Sequence, residues 1–283
     1  MPALRNLVAS GATRLSTGPH PDRARQDAET LLLHVIGKDK AWLMAHSGEQ
    51  LTAVDASRCT LLLERRYQGE PIQYITGEAE FYGLPIHVTP DVLIPRPETE
   101  HLVERVVELA PCFPKPRIVD VGTGSGAIAI ALAHEWPSAA ITAIDVSAPA
   151  LDIARRNAER NGFADRIRFL QGDLLAPVGN GQFDIVVSNP PYVPAADRAS
   201  LAVEVRDHEP VLALFAGADG LDIYRRLIPQ AFASLVSGGF IALEIGYAQS
   251  PAIRALLAAS GFRQIEFLPD LQNIPRVASA QRA

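Results

Sequence analysis

The stretch Ile118-Val-Asp-Val-Gly122-Thr-Gly124-Ser-Gly126-Ala-Ile-Ala-Ile-Ala-Leu132 joins an apolar strand pattern to a glycine-rich turn and a helix-forming segment. Glycine permits positive φ and lets a ligand approach the main chain where a Cβ would stand in the way. The helix that follows offers unpaired N–H groups at its start. A dinucleotide fingerprint reads GxGxxG, whereas this loop is one residue tighter. The stretch predicts the first strand, ligand loop and helix of an α/β domain.

The next apolar run, Ala140-Ile-Thr-Ala-Ile144, ends in Asp145. Its separation from Gly126 is close to the roughly 20 residues expected for an acid that binds ribose hydroxyls. Asp145 could instead cap the following helix, but Ser147 is placed to take that role. We therefore favour a ribose-binding role for Asp145.

Two further strand-like runs end in polar residues. Asp173 follows the run that begins at Ile167, and Asn189 follows Phe183-Asp-Ile-Val-Val-Ser188. In a doubly wound sheet, ligands bind beyond the carboxyl ends of the strands. These strand ends therefore predict a nucleoside-shaped cleft with a place for a second substrate beside it.

The tetrapeptide Asn189-Pro190-Pro191-Tyr192 suits a site that grips a planar NH₂ group. The side-chain oxygen of Asn189 and the carbonyl of Pro190 can each accept a hydrogen bond, and proline contributes no competing N–H. Tyr192 would place a flat ring against a flat substrate or near a cationic methyl donor. The alternative is a proline-rich turn that only ends a strand, and the glycine-rich loop upstream argues against it.

Composition excludes several classes of protein. The chain has 283 residues, 48% of them hydrophobic, enough for one large domain and one small one. Its two cysteines and seven histidines lack metal-binding spacing, and no apolar stretch approaches the roughly 18 residues of a membrane span. A net charge of −6 argues against sequence-independent nucleic-acid binding. We expect a cytoplasmic protein, monomeric, with no metal, no membrane association and no direct contact with nucleic acid.

Periodicity divides the chain into three predicted regions. Residues 1–70 form a helical bundle, in which Ala24, Ala28, Leu31, Leu32 and Val35 share one helix face. Residues 71–95 form a β-hairpin connector around Gly83, and residues 96–283 form the α/β domain, because strands and helices alternate there. Within it we predict a polar loop over 195–219, a helix over 220–236 and a strand over 238–246.

With these motifs in hand, the chain resembles the HemK/PrmC family of protein-glutamine N5-methyltransferases over nearly its whole length. Leu93-Ile-Pro-Arg-Pro-Glu-Thr-Glu100, Asp120-Val-Gly-Thr-Gly-Ser-Gly126 and Ser188-Asn-Pro-Pro-Tyr192 match the three strongest family motifs. Further similarity covers the segments 27–34, 69–77, 204–210 and 219–222. The resemblance implies a class I, Rossmann-like methyltransferase domain with a mostly parallel seven-stranded sheet whose last strand is antiparallel. It also implies that the helical bundle recognises the substrate.

The implied activity is methyl transfer from S-adenosylmethionine, which leaves S-adenosylhomocysteine, to the side-chain amide of a glutamine in peptide-chain release factors. That glutamine belongs to their GGQ motif. By the resemblance, the cofactor-binding residues are Gly122, Thr123, Gly124, Ser125, Gly126, Asp145, Asp173, Leu174 and Asn189. Asn189, Pro190, Pro191 and Tyr192 are the implied catalytic and substrate-binding residues.

Individual roles follow from the same resemblance. The loop Gly122–Gly126 would cradle the methionine part of the donor, Asp145 would hold the ribose, and Asp173 with Leu174 would border the adenine. At position 174 some relatives carry a bulkier aromatic residue. The tail segment 270–276 also departs somewhat from the family pattern.

Three other functions remain as alternatives. The first is N5-methylation of a glutamine in a ribosomal protein. The second is N-methylation of an exocyclic amine of adenine or guanine in RNA or DNA, since such bases present the same NH₂ geometry. The third is a catalytically silent binding module, which the intact glycines, Asp145 and Asn189 argue against.

Overall fold

The computed structural model describes residues 3–179 and 181–283. The chain divides into two compact units. The first comprises the chain up to Glu78 together with Leu201–His208, and the second comprises Ala79–Ser200 and Glu209–Ala283. No helix in the described residues has the length and apolar character needed to span a bilayer.

The first unit is helical. Its helices are α1 (Leu4–Leu15), α2 (Ala24–Ile36), α3 (Lys40–His46), α4 (Ala53–Tyr67), α5 (Ile72–Thr76) and, from the later segment, α9 (Val203–His208). Gly37 ends α2 in the left-handed conformation with φ +63°, as its position after the apolar face predicts. Thr52 caps α4 by accepting a hydrogen bond of 3.1 Å from the N–H of Asp55.

A buried arginine ties the later segment into this unit. Nε of Arg66 donates to Asp27 over 2.6 Å, and its Nη1 donates to Glu204, on α9, over 3.0 Å. The Arg66 side chain is buried, and Nη1 also donates to the carbonyl of Glu70 over 2.9 Å. A buried cation needs such partners, because removal from water is costly. The ion pairs therefore explain why Leu201–His208 belongs with the helices.

The second unit opens with a two-stranded hairpin and continues as alternating strands and helices. Its strands are β1 (Glu78–Phe81), β2 (Leu84–His87), β3 (Arg117–Val121), β4 (Ala140–Asp145), β5 (Ile167–Gln171), β6 (Phe183–Ser188), β7 (Leu235–Glu244), β8 (Phe262–Pro269) and β9 (Pro275–Arg282). Its helices are α6 (Glu100–Leu109), α7 (Ala127–Glu135), α8 (Ala148–Arg160), α10 (Val211–Leu214), α11 (Asp222–Ser234) and α12 (Ser250–Ala259).

The main sheet has seven strands in the order β5-β4-β3-β6-β7-β9-β8. The first five of these pair in parallel, and β9 runs antiparallel to both of its neighbours. Every residue of the central strand β6 is buried, as expected for a sheet with helices on both faces. The predicted mostly parallel sheet with an antiparallel last strand is confirmed.

Two local predictions were wrong. The predicted polar loop over 195–219 contains a 3-10 turn at Ala195–Ser200, then α9 and α10, because the ion pairs of Glu204 and burial of Leu214 order this segment. The strand predicted from Gly238 starts earlier, at Leu235. Leu235 is fully buried beside Phe183, and the register shifts before Phe240 pairs with Ile185. The strand thus continues through an irregularity at its glycines.

Candidate active site

A cavity of about 300 Å³ lies in the second unit, at the carboxyl ends of β3, β4 and β6. It is therefore where a doubly wound sheet binds its ligands. The predicted site residues that line it are Gly122, Thr123, Gly124, Ser125, Asp145, Asp173, Leu174, Asn189, Pro190 and Pro191. Gly126 and Tyr192 lie outside the lining that the described residues define.

The three glycines of the loop after β3 have two different roles. All have positive φ, at +74° for Gly122, +55° for Gly124 and +82° for Gly126. Apart from each glycine and its two chain neighbours, no described residue comes within 4 Å of a Cβ built on Gly122 or Gly124, so their open sides leave room for a ligand. A Cβ on Gly126 would lie 3.1 Å from the Cβ of Ala154, so this glycine permits α7 to pack against α8.

Asp145 ends β4 and holds the glycine loop. One carboxylate oxygen accepts from the N–H of Gly124 over 2.8 Å, and the other accepts from the N–H of Ser147 over 2.9 Å. Burial raises the pKa of this carboxyl, and the backbone donors partly oppose that shift. Ser147 caps α8 by accepting from the N–H of Ala150 over 3.3 Å, as predicted. Asp145 is therefore not the helix cap.

A second carboxylate is buried beneath the same loop. Asp120 lies in β3 and is fully buried, and the hydroxyl of Thr123 donates to it over 2.6 Å. Burial raises the pKa of Asp120 to about 7, the Thr123 hydrogen bond opposes the shift, and Asp145 adds to it. This carboxyl supports the turn from inside, since it is not part of the cavity lining.

The wall beyond β5 carries the residues expected near an adenine. Asp173 forms an ion pair with Arg226 of α11, and both line the cavity. Leu174 also lines it and has φ +49°, a left-handed conformation that is uncommon for a residue with a side chain. The adenine contact of Asp173 and Leu174 stays a prediction. Arg226 lies in no sequence motif that could have identified it.

Asn189, directly after β6, is oriented by a chain of hydrogen bonds to two buried residues. Its side-chain nitrogen donates to the hydroxyl of Thr99 over 3.1 Å, and that hydroxyl donates to Glu244 over 2.6 Å. Thr99 ends a 3-10 turn at Pro97–Thr99, and Glu244 ends β7. Because the amide nitrogen is engaged with Thr99, its oxygen is the end that is left for a donor in the cavity.

Tyr192 lies outside this cavity lining, and its ring contact with the substrate stays a prediction. Its hydroxyl donates to Glu244 over 3.2 Å, and its carbonyl accepts from the side chain of Gln249 over 3.0 Å. Burial raises the pKa of the Tyr192 hydroxyl, and the neighbouring Glu244 raises it further. Tyr192 thus anchors the end of the turn against the core, while Asn189, Pro190 and Pro191 face the cavity.

Sequence reasoning missed Thr99, Glu244 and Gln249. One signal could have identified Glu244, since it ends the apolar run that starts at Phe240, much as Asp145 ends β4. Thr99 lies within the Leu93–Glu100 motif, but a helix start explains the prolines and acids of that motif, so its hydroxyl was not singled out. Gln249 lies just before α12 and carries no motif.

The comparisons with known proteins agree with this geometry. Residues 6–77 match the PrmC N-terminal domain family, and residues 98–205 match the methyltransferase small domain family. The release factor glutamine methyltransferase of Koribacter versatilis is 43% identical over 281 residues, 99% of this chain and 96% of the relative. The protein of the same name from Moorella thermoacetica is 44% identical over 281 residues, 99% of this chain and 98% of the relative.

Solved structures give the same fold. The ribosomal protein L11 methylase of Lactobacillus delbrueckii is 28% identical with a TM-score of 0.51, and the match covers 70% of this chain and 86% of that one. A methyltransferase from Pyrococcus furiosus is 21% identical with a TM-score of 0.52, and the match covers 71% of this chain and 90% of that one. The resemblance inferred from the three motifs is confirmed by relatives that align over nearly the whole chain, and the chain belongs to the release factor glutamine methyltransferase family.

Proposed function

We propose that this protein transfers the methyl group of S-adenosylmethionine to the side-chain amide nitrogen, N5, of the glutamine in the GGQ motif of peptide-chain release factors. The observation that carries the proposal is the anchored amide of Asn189, which lines the same cavity as the glycine loop and Asp145. The names of the relatives, which are 43–44% identical over nearly the whole chain, support the same substrate.

The residues at the strand ends fit the donor. Gly122 and Gly124 leave their open sides to a ligand, and the half-buried carboxylate of Asp145 has lone pairs beyond those used by its two backbone donors. Asp145 would accept from the ribose hydroxyls, and Leu174 would pack on the adenine. When bound, the donor supplies a sulfonium methyl group, which is the electrophile of the reaction.

The chain's own contribution is orientation and electrostatics. An amide nitrogen is a poor nucleophile, because its lone pair is delocalised into the carbonyl. The side-chain oxygen of Asn189 and the carbonyl of Pro190 would accept the two hydrogens of the substrate amide, which raises electron density on its nitrogen and fixes its direction. The methylated nitrogen is strongly acidic before it loses its proton, so no dedicated base is required.

The three regions predicted from the sequence would divide the work. The helical region, residues 1–70, would recognise the release factor, and residues 96–283 would carry the methyl transfer, with residues 71–95 as the connector. A release-factor substrate implies a cytoplasmic place of action. Methylation of a ribosomal protein has weaker support, because the L11 methylase is 28% identical over only 70% of this chain.

Radiolabelling with substrate mapping tests the proposal. The purified protein is incubated with tritiated donor and, in separate reactions, with release factors, ribosomal protein, tRNA or rRNA. Mass spectrometry then locates the methylated site. We expect label only on the release-factor glutamine. Label on the ribosomal protein or on RNA alone would overturn the proposal.

Asn189→Ala is the matched test of the site. It should lower kcat by about 100-fold or more at saturating donor, because one acceptor in a preorganised site is lost. Asp152→Ala, at an exposed position on α8 outside the cavity lining, is the control and should keep wild-type kcat. Turnover by Asn189→Ala within a few-fold of wild type would contradict the assigned role.

A further inference from the structure

Glu244 is a buried carboxylate at the end of β7 that does not reach the cavity lining. It is 3% exposed, and its two oxygens accept from two hydroxyls, that of Thr99 over 2.6 Å and that of Tyr192 over 3.2 Å. Thr99 is also buried, at 5% exposure. This carboxylate therefore joins the two ends of the Asn-Pro-Pro-Tyr turn.

The direction of each hydrogen bond follows from counting protons. An ionised carboxylate can only accept, so the single hydroxyl proton of Thr99 is committed to Glu244. Toward Asn189, Thr99 can then only accept, which requires the amide to present its nitrogen to Thr99. The side-chain oxygen of Asn189 is thereby turned away from Thr99, and the opposite orientation would leave two acceptors facing each other.

We propose that Glu244 and Thr99 are positioning residues which, by the direction of their hydrogen bond, hold the Asn189 amide with its oxygen toward the substrate NH₂ group. This inference rests on the proposed function and adds two residues to it. Glu244 does not reach the cavity, and Thr99, although it lines the cavity, acts through the amide of Asn189.

The protonation state of Glu244 controls this direction. Once protonated, the carboxyl could donate to Thr99, and Thr99 could donate to the oxygen of Asn189, which would turn the amide NH₂ toward the substrate. Burial raises the pKa of Glu244, while the hydrogen bonds from Thr99 and Tyr192 oppose the shift. Because the ionised form is the competent one, activity should fall as pH is lowered through this raised pKa.

The groups facing Glu244 set that balance. They come from four elements: Glu98 and Thr99 on the 3-10 turn, Tyr192 after β6, Tyr224 on α11 and Arg276 on β9. The hydroxyl of Tyr224 donates to the main-chain carbonyl of Glu244. Arg276 favours the ionised carboxylate, and Glu98 disfavours it. Loss of the Arg276 charge should therefore move the acid limb of the pH profile to higher pH, and loss of the Glu98 charge should move it to lower pH.

Steady-state kinetics on a release factor test the hydroxyl. Thr99→Val keeps the shape of the side chain and removes the hydroxyl, so kcat should fall about tenfold or more, while calorimetry should show donor affinity within about twofold of wild type. Thr99→Ser should restore most of the turnover. Thr142→Val, on β4 outside the cavity lining, is the matched control and should behave as wild type. Wild-type kcat in Thr99→Val would overturn the inference.

The pH profile and an NMR signal test the carboxylate independently of how Thr99→Val folds. Glu244→Gln should lose the acid limb seen in the wild-type kcat profile. In protein labelled with ¹⁵N-asparagine, the side-chain NH₂ signal that Asn189→Ala removes should shift with pH in wild type and not in Glu244→Gln. If Glu244→Gln keeps the acid limb and its Asn189 signal still shifts with pH as in wild type, this inference is overturned and the proposed function stands. A wild-type protein that leaves the release-factor glutamine unlabelled would instead overturn the proposed function, and this inference with it.

Discussion

The carboxylate of Asp145 accepts a hydrogen bond of 2.8 Å from the N–H of Gly124, so the end of one strand fixes the loop that follows its neighbour. The pairing of β3 with β4 brings Val121 opposite Ile144, which places the loop and the carboxylate side by side. A single acid thus holds the loop in shape and keeps lone pairs for a ligand. Loop geometry and ligand binding therefore depend on the same side chain.

Asp145→Ala should weaken donor binding more than it lowers kcat. Loss of hydrogen bonds to a charged group costs about 1.5–3 kcal/mol, which corresponds to a Kd increase of roughly 10- to 100-fold. Calorimetry with the donor measures the Kd, and kinetics at saturating donor measure kcat. Asp152→Ala, at an exposed position on α8, is the control. Donor affinity equal to that of wild type in Asp145→Ala would refute the ribose assignment.

Gly220 is required by the close approach of the Asn-Pro-Pro-Tyr turn. Its φ is +75°, and a Cβ there would lie 2.2 Å from the carbonyl oxygen of Tyr192. Gly83 in the β1–β2 turn has a similar φ of +72°, but apart from its two chain neighbours no described residue comes within 4 Å of its Cβ position. A comparison of alanine substitutions at the two glycines therefore separates the cost of backbone strain from the cost of steric overlap.

Gly220→Ala should destabilise the protein more than Gly83→Ala does. Left-handed strain costs each variant about 1–2 kcal/mol, and overlap at Gly220 should add about 1–3 kcal/mol. Urea denaturation gives the free energies of unfolding, and the kcat of Gly220→Ala should also fall, because the turn must shift. Equal losses in the free energy of unfolding of the two variants would show that the turn shifts without an energetic penalty.

The sheet and the ligand end of the domain were predictable because their signals are local. The glycine loop, Asp145 and Ser147 each act within a few residues of the strand that carries them, and periodicity alone located α2. The hydrogen bond from Thr99 to Glu244 was not predictable, because its partners are 145 residues apart. The apolar pattern around Glu244 is equally compatible with a strand end that has no polar partner.

The segment Leu201–His208 illustrates the same limit. Its polar composition is typical of a loop, whereas its order comes from the ion pair of Glu204 with Arg66, 138 residues away in sequence. A contact between residues this far apart in sequence leaves no pattern in the local sequence. Only the folded unit shows that a segment inserted within the α/β sequence packs with the N-terminal helices.

Arg66→Met should destabilise the helical unit strongly. The substitution removes a buried cation and leaves Asp27 and Glu204 without their partner, and breaking a buried pair costs about 3–5 kcal/mol. Arg14→Met is the control, because Arg14 pairs with Glu64 at the surface, where an ion pair contributes at most about 1 kcal/mol. Thermal unfolding followed by circular dichroism compares the two. Equal shifts in Tm would show that the buried network adds nothing to stability.

The buried carboxyl of Asp120 should make the protein less stable as pH rises from about 4 to 7. Its pKa is about 7 in the folded chain, compared with about 3.9 for an unfolded Asp, so the native state binds more protons in this range. Asp120→Asn keeps an acceptor for Thr123 and cannot ionise. Its free energy of unfolding should therefore change less between pH 5 and pH 8 than that of wild type, which urea denaturation at both pH values measures. Asp165→Asn, at an exposed position, should retain the wild-type difference, and the same pH dependence in Asp120→Asn would show that this carboxyl is already ionised at pH 5.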